Sequence, residues 1–422
     1  MSSSVSIRAT GLRKLLVDRF GPVASISIAQ LFGTALWFSA NSTAADLMRI
    51  WHASAADIGW LTNAVQLGFI LGTLFISLSG AADRFRASRI FVCSAIAGAV
   101  FNFGFAWLST GLVSGAFFRF GVGVCLAGIY PMGMKLIVGW APERTGQALA
   151  QLVAMLTLGT ALPHAMRLMG TGFPWQLITS ASSILAIGGA CIIAALGDGP
   201  HAAVRSRGAT DPNRSAARQP SVLAAFRIRG FRAATLGYFG HMWELYTFWT
   251  AVPLLIARTS LTTHFPGTQV SGWSFIVIGI GALGSLIGGT LSRYVGSARV
   301  AVGALAISGL CALIFSLGWR YLAPEAVVAL LMVWGASVIA DSPQFSALAA
   351  KSCPPVLVGG ALAIQNSIGF ALTVASIAAT TILFEHIGLD ATWLLVPGPV
   401  FGLAAFALTS RSPGPVNGDR KC

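Results

Sequence analysis

Apolar runs of about 20 residues recur roughly twelve times along this chain, and a helix needs a run of about that length to cross a bilayer. The runs lie near 23–45, 57–79, 88–108, 112–139, 146–168, 175–196, 233–257, 270–291, 298–318, 325–349, 357–384 and 391–410. Only 9% of the 422 residues are charged, against about 25% in soluble domains. The 48 glycines and 18 prolines fit a polytopic helical protein, since both residues are commoner in membrane helices than in soluble ones. The amino-terminal twenty residues are basic but have neither an apolar core nor a small-residue cleavage site, so no cleaved leader is expected.

A net charge of +14 raises the question of nucleic acid, and the distribution of charge argues against it. Of the 27 basic residues, 22 fall before the first run, in alternate loops, in the central loop or after the last run. This is the positive-inside pattern, and it places both termini in the cytoplasm and the chain in the cytoplasmic membrane. Dispersed charge of this kind does not build a nucleic-acid patch. The central loop could touch anionic lipid heads. The six cysteines show no CxxC spacing and no disulfide framework. No phosphate-binding GxxxxGK[ST] loop and no metal-site spacing occur. The expectation is therefore a non-enzyme that carries no cofactor and no metal.

The longest polar stretch, 197–232, divides the runs six and six and reads as a linker. It separates an amino-terminal unit, 1–196, from a carboxy-terminal unit, 233–422. Within it, residues 221–229 suggest a short interfacial helix. The units echo each other. Gly80, Arg84 and Phe85 correspond to Gly289, Arg293 and Tyr294; Pro131 corresponds to Pro343; Ala148-Leu149-Ala150 corresponds to Ala361-Leu362-Ala363. Three matches in order at nearly one offset indicate a duplicated six-span unit. In transporters so built, the substrate lies near the midplane between the repeats.

Two carboxylates sit inside apolar runs: Glu244 in the seventh and Asp341 in the tenth. A carboxylate in hydrocarbon costs roughly 2.5–3.5 kcal/mol on insertion scales, so such residues usually face a bundle interior or a wet cavity and carry protons, ions or substrate. His241 is three residues before Glu244 and shares its helix face. Packing without a transport role is the other reading.

The stretch Ser79 to Arg89, with Asp83 and Arg84 at its centre, resembles the loop 2–3 signature of the major facilitator superfamily, Gly-x-x-x-Asp-Arg-x-Gly-Arg-Arg. Here the family's first Gly is Ser79 and its later Gly is Arg86 or Ala87. In that family the loop latches the cytoplasmic ends of the two halves, which implies gating roles for Asp83, Arg84, Arg89, Arg144 and Arg293. The second-half copy has Ser292 in place of the Asp, so the latch is lopsided. Arg119 with Gly121, Gly123 and Gly128 resembles the fourth-span motif, whose Arg is linked to proton transfer or substrate binding; snorkelling to the outer interface is the alternative. Gly159 to Pro163 partly resembles the antiporter motif but has Leu162 where that motif has Gly.

The resemblance implies twelve transmembrane helices in two pseudo-symmetric six-helix bundles, an all-α membrane protein acting as a monomeric secondary transporter. Spans one, four, seven and ten usually line the cavity in that family. On this placement Trp37, Asn41, Gln66, Arg119, Tyr130, Tyr238, Trp243, Gln365 and Asn366 are the substrate-binding candidates. Aromatic residues with a few polar groups suit a moderately polar, planar organic ligand, and Arg119 suggests an anionic one. Glu244, modulated by His241, is the proton-coupling candidate, with Asp341 second. Alternating access would move Glu244 between wetter and drier surroundings and change its affinity for a proton. The expected partners are a small solute, H⁺ and the bilayer. The competing reading is efflux of drugs or metabolites by proton antiport.

Overall fold

The computed structural model describes residues 11, 13–202 and 222–410, and the described residues are helices joined by short connections with no strand. The principal helices are α1 (Pro22–Thr34), α2 (Ala55–Leu78), α3 (Ala87–Leu108), α4 (Leu112–Trp140), α5 (Thr145–Met169) and α6 (Trp175–Leu196) in the first half. They are followed by α7 (Arg229–Arg258), α8 (Gln269–Gly279 and Gly281–Val295), α9 (Ser297–Gly318), α10 (Pro324–Ala340 and Ser342–Ser352), α11 (Pro355–Ile387) and α12 (Pro397–Ser410).

By length and composition, nine helical stretches among the described residues qualify as membrane spans, or ten if the bent pair ending in α1 is one span. One of the nine, Leu357–Ser410, contains both α11 and α12. Helix α7 is not among them, since polar residues near its centre, His241 and Glu244 included, lower its hydropathy. With α7 counted, the arrangement is consistent with twelve crossings. Before α1 the chain bends by 111° at Gly21, whose φ of +81° is open only to glycine at little cost. Pro22 then starts the helix where a missing N–H is harmless. Helix α2 opens on a capping box: Asp57 N–H donates to Ser54 Oγ (3.1 Å), and Ser54 N–H donates to Asp57 Oδ2 (2.9 Å).

Within the halves, α2 packs on α4, α3 on α4 and α6, α7 on α12, and α8 and α9 on α10. Between the halves, α2 meets α11 and α5 meets α8. Those two seams exchange under the repeat read from the sequence, since α2 corresponds to α8 and α5 to α11. Glycines set the closest approaches. A Cβ built on Gly123 falls 2.0 Å from the Val65 carbonyl oxygen, and one on Gly335 falls 1.9 Å from that of Val277. The same device therefore closes α2 on α4 and α8 on α10. Gly335→Leu is expected to abolish a monodisperse peak in size exclusion. Gly303→Leu, where nothing lies within 4 Å of the added carbon, is expected to preserve it.

The expected interfacial helix appears as a short 3₁₀ turn, Val222–Arg227, with Ala225 clustered with Phe231, Cys353 and Leu357. Most of the linker, 203–221, lies outside the described residues.

Candidate functional site

Besides the break in α8 at Ile280, two of the long helices are interrupted, and each of these two interruptions carries a residue singled out from the sequence. After α1 the chain runs through turns at 35–40, with Trp37 among them, before a 3₁₀ turn at Asn41–Thr43. Helix α10 breaks at Asp341, which ends one segment and starts the next, with Pro343 just inside the second. Irregular backbone at membrane depth is tolerated where it is buried in protein or lines a cavity, and broken helices build the sites of many transporters.

Arg119 holds the first break. It is fully buried on α4. Its Nη1 donates to the Leu36 carbonyl, Ser39 Oγ and Asn102 Oδ1, each at 3.0 Å, and its Nη2 donates to the Trp37 carbonyl. Asn102 is itself tied to α6, donating to the Thr179 carbonyl (2.9 Å) and Ser183 Oγ (3.0 Å). The planar fork thus replaces the amide donors that α1 loses where it unwinds. Arg119 does not snorkel to an interface: its fork is turned onto the Leu36 and Trp37 carbonyls and the Ser39 and Asn102 side chains.

At the second break, His241 Nδ1 lies 2.7 Å from Asp341 Oδ1, with both side chains buried. This is an ion-pair distance, but the contact is off the ring's hydrogen-bonding axis, and His241 Nε2 and Asp341 Oδ2 have no protein partner. The Tyr238 ring stands 5.7 Å from the His241 ring, and Tyr130 on α4 lies within electrostatic reach of Tyr238.

Glu244 is held differently. Its Oε1 accepts from Trp334 Nε1 (2.7 Å) and its Oε2 from Ser308 Oγ (2.9 Å). It is turned toward α9 and α10, into the second half's own core. His241, on the same face of α7, meets Asp341: a three-residue step leaves about 60° between the His241 and Glu244 side chains. Trp243 donates from Nε1 to the Leu394 carbonyl (2.6 Å) and packs on Gly398, a two-residue step turning it about 200° away from His241. Asn41 donates to Thr62 Oγ1 (2.9 Å) and ties the far end of the first span to α2. Gln365 accepts from Thr235 Oγ1 (2.9 Å) while its amide nitrogen has no partner. Asn366 beside it is half-buried.

Between the breaks lies an aromatic cluster that the sequence reading did not assemble. Trp37 and Phe69 come from the first half, Tyr246 and Phe370 from the second. Trp37 stacks on Tyr246 (centroids 5.4 Å, 29° between planes) and on Phe370 (5.9 Å, 20°), and Phe69 contacts Phe370 at 4.4 Å. Gln66, one turn from Phe69 on α2, is fully buried with both polar atoms unpartnered. Phe69 and Phe370 carried no signal beyond their spacing on apolar helices.

On the side away from the termini the halves are joined directly. Asn63 Nδ2 donates to the Val374 carbonyl (3.1 Å), and Ala56 N–H donates to Glu385 Oε1 (2.8 Å). Gly59 packs so closely on α11 that an added Cβ would sit 2.2 Å from Thr381 Oγ1. These contacts seal the seam between α2 and α11 on that side. Gly59→Trp is expected to wedge this seal apart. Spin labels on the far-side ends of α2 and α11 should report a longer distance, and solute exchange should fall by about tenfold, a barrier of about 1.4 kcal/mol.

Of the gating candidates, Arg84 and Arg89 are exposed on the terminal side. Arg293 borders a hollow between α5 and α8 with Gln147, Gln151 and Thr290. The side chains of Asp83 and Arg144 lie outside the described residues. A carboxylate not singled out from the sequence, Asp198, closes the start of α3 by accepting from Ser88 N–H (3.2 Å) and Ser88 Oγ (2.7 Å).

The profile of the Major Facilitator Superfamily matches residues 26–372. The chain belongs to that superfamily. It is accordingly a multi-pass membrane protein of a transporter family. The crystal structure of the nucleoside transporter NupG (D323A mutant) is similar, with a TM-score of 0.65 at 14% sequence identity, covering 92% of this chain and 100% of that one. At this identity the likeness is one of fold. No curated protein matches the chain significantly.

Proposed function

We propose that the protein is a secondary active transporter that moves a small organic solute across the cytoplasmic membrane by alternating access, coupled to protons through the His241–Asp341 pair. Both termini are then cytoplasmic, as the loop charges favour, and the chain acts as a monomer. The observation that carries the coupling reading is the buried pair at the α10 break with its outer atoms unpartnered. With one proton the carboxylate and a neutral imidazole carry net −1; with two protons the pair is net neutral, so one proton is taken or given without any other charge moving. The break in α10 lets that pair change surroundings as the halves rock.

Glu244, the first candidate from sequence, is supported less well, since two donors from its own half already satisfy it. Arg119 gives no support to an anionic cargo, because its fork is engaged by the first break. Efflux by proton antiport is the second reading, favoured by the aromatic wall between the halves.

The test is uptake by the purified chain in proteoliposomes under an imposed pH difference, across a panel of organic acids, amino acids, sugars, vitamins and hydrophobic cations. Accumulation of one class that collapses with a protonophore is the expected result. Uniform absence of gradient-driven movement contradicts the reading. Sensitisation of deletion cells to a toxicant assigns the direction as export.

A further inference from the structure

Resting on the transport reading, we infer that the cargo is a neutral, planar ring bearing hydrogen-bonding groups, taken up by replacing the ring contacts between Trp37 of the first half and Tyr246 and Phe370 of the second.

Three observations converge. First, the stacked rings come from opposite halves, so the motion that parts the halves also parts these rings. Parting them exposes an indole face on one wall and two aromatic faces on the other. Planes already 20° and 29° from parallel need little reorientation to grip a flat ring inserted between them. A saturated ring of the same polarity is thicker and presents C–H edges in place of a π face.

Second, the groups around the stack are polar and unpaired. Trp37 Nε1, Trp249 Nε1 and both polar atoms of Gln66 are buried without a hydrogen-bond partner. Buried polar groups are seldom left so, because the desolvation cost is not repaid. Side-chain packing alone accounts for the rings but not for a buried amide with both ends free. Two indole donors and an amide that both donates and accepts suit a ring with its own acceptors and donors at the edge.

Third, among the described residues the charged groups of the neighbouring spans are engaged with other partners. The Arg119 fork is turned onto the Leu36 and Trp37 carbonyls, Glu244 faces Ser308 and Trp334, and Asp341 is paired with His241. A charged cargo would be desolvated here without a counter-charge, so the ring is neutral.

The experiment is binding to the purified full chain, read by thermal shift and titration calorimetry, with a library of neutral heteroaromatic compounds each matched to its saturated analogue. The pairs 2-pyridone with 2-piperidone and benzamide with cyclohexanecarboxamide are examples. Hits should fall among the planar members and bind about tenfold or more tightly than their saturated partners. Trp37→Leu and Phe370→Leu should each abolish that preference, Trp37→Phe should retain it, and Gln66→Leu should weaken only ligands with hydrogen-bonding edges. Equal binding of both members of a pair, or an unchanged preference in correctly folded Trp37→Leu and Phe370→Leu, overturns the inference. Hits confined to sugars or acyclic acids overturn it while leaving the transport reading intact. If nothing binds and nothing moves in proteoliposomes, both fall together.

Discussion

Asp341→Asn is expected to bind and exchange cargo across the membrane but to lose accumulation driven by a pH difference. A difference of one pH unit is worth about 1.4 kcal/mol per proton, so a coupled carrier moving one proton per solute can concentrate its cargo up to about tenfold. The Asn variant should stay near onefold. The carboxamide keeps the size and hydrogen-bonding capacity of the side chain but cannot take up a proton, and His241 loses the negative partner 2.7 Å away. Removing one member of a buried pair also has a cost in stability, here reduced because the imidazole can remain neutral. Glu244→Gln is the matched control. Its amide oxygen can still accept from Trp334 and its nitrogen can donate to Ser308, so the variant should keep most of its accumulation and lose about 1 kcal/mol of stability. Tracer uptake under an imposed gradient, with counterflow as the exchange measurement, separates the two variants.

The second large effect is at Arg119. Arg119→Leu relieves the burial of a charge but leaves the Leu36 and Trp37 carbonyls and Asn102 Oδ1 without that donor in a dry interior. Orphaning the partners of a buried charged group typically outweighs the relief and costs about 3–5 kcal/mol. The apparent Tm should therefore fall sharply. Arg119→Lys decides what the residue is for. A lysine keeps the positive charge but cannot serve the three Nη1 acceptors and the Trp37 carbonyl from one planar fork. If Arg119 positions Trp37, the Lys variant loses affinity nearly as far as the Leu variant. If it binds an anionic cargo, Lys preserves most of the affinity, and the response depends on ligand charge. Ligand titrations on both variants give the answer.

The spans were legible because hydropathy is a property of whole segments. The first-span break was less so. The residues 35–40 hold no glycine or proline, and the donors that satisfy the break come from Arg119, 83 residues from Leu36. The α10 break had a local sign in Pro343, which also made Asp341 a candidate. The ordering of Glu244 ahead of Asp341 followed apolar context, which the two share. Which carboxylate faces a neighbouring half depends on rotations of tens of degrees about a helix axis, and those are set by packing partners distant in sequence. For the same reason Gln66 stands one turn from a seam residue while Trp243 turns away from the seam. The aromatic stack needed contacts among four spans, and each of its phenylalanines reads in isolation as ordinary apolar filling.

The most direct test of proton coupling at the α10 break is cargo-dependent proton flux, read with a pH-sensitive dye trapped in proteoliposomes. The compound used is the one accumulated by the unmodified protein. The account predicts that adding it moves protons in the unmodified protein and in Glu244→Gln, and moves none in Asp341→Asn although that variant still exchanges the solute. Undiminished proton movement in Asp341→Asn, with flux lost in Glu244→Gln, would contradict the account and return the coupling site to Glu244.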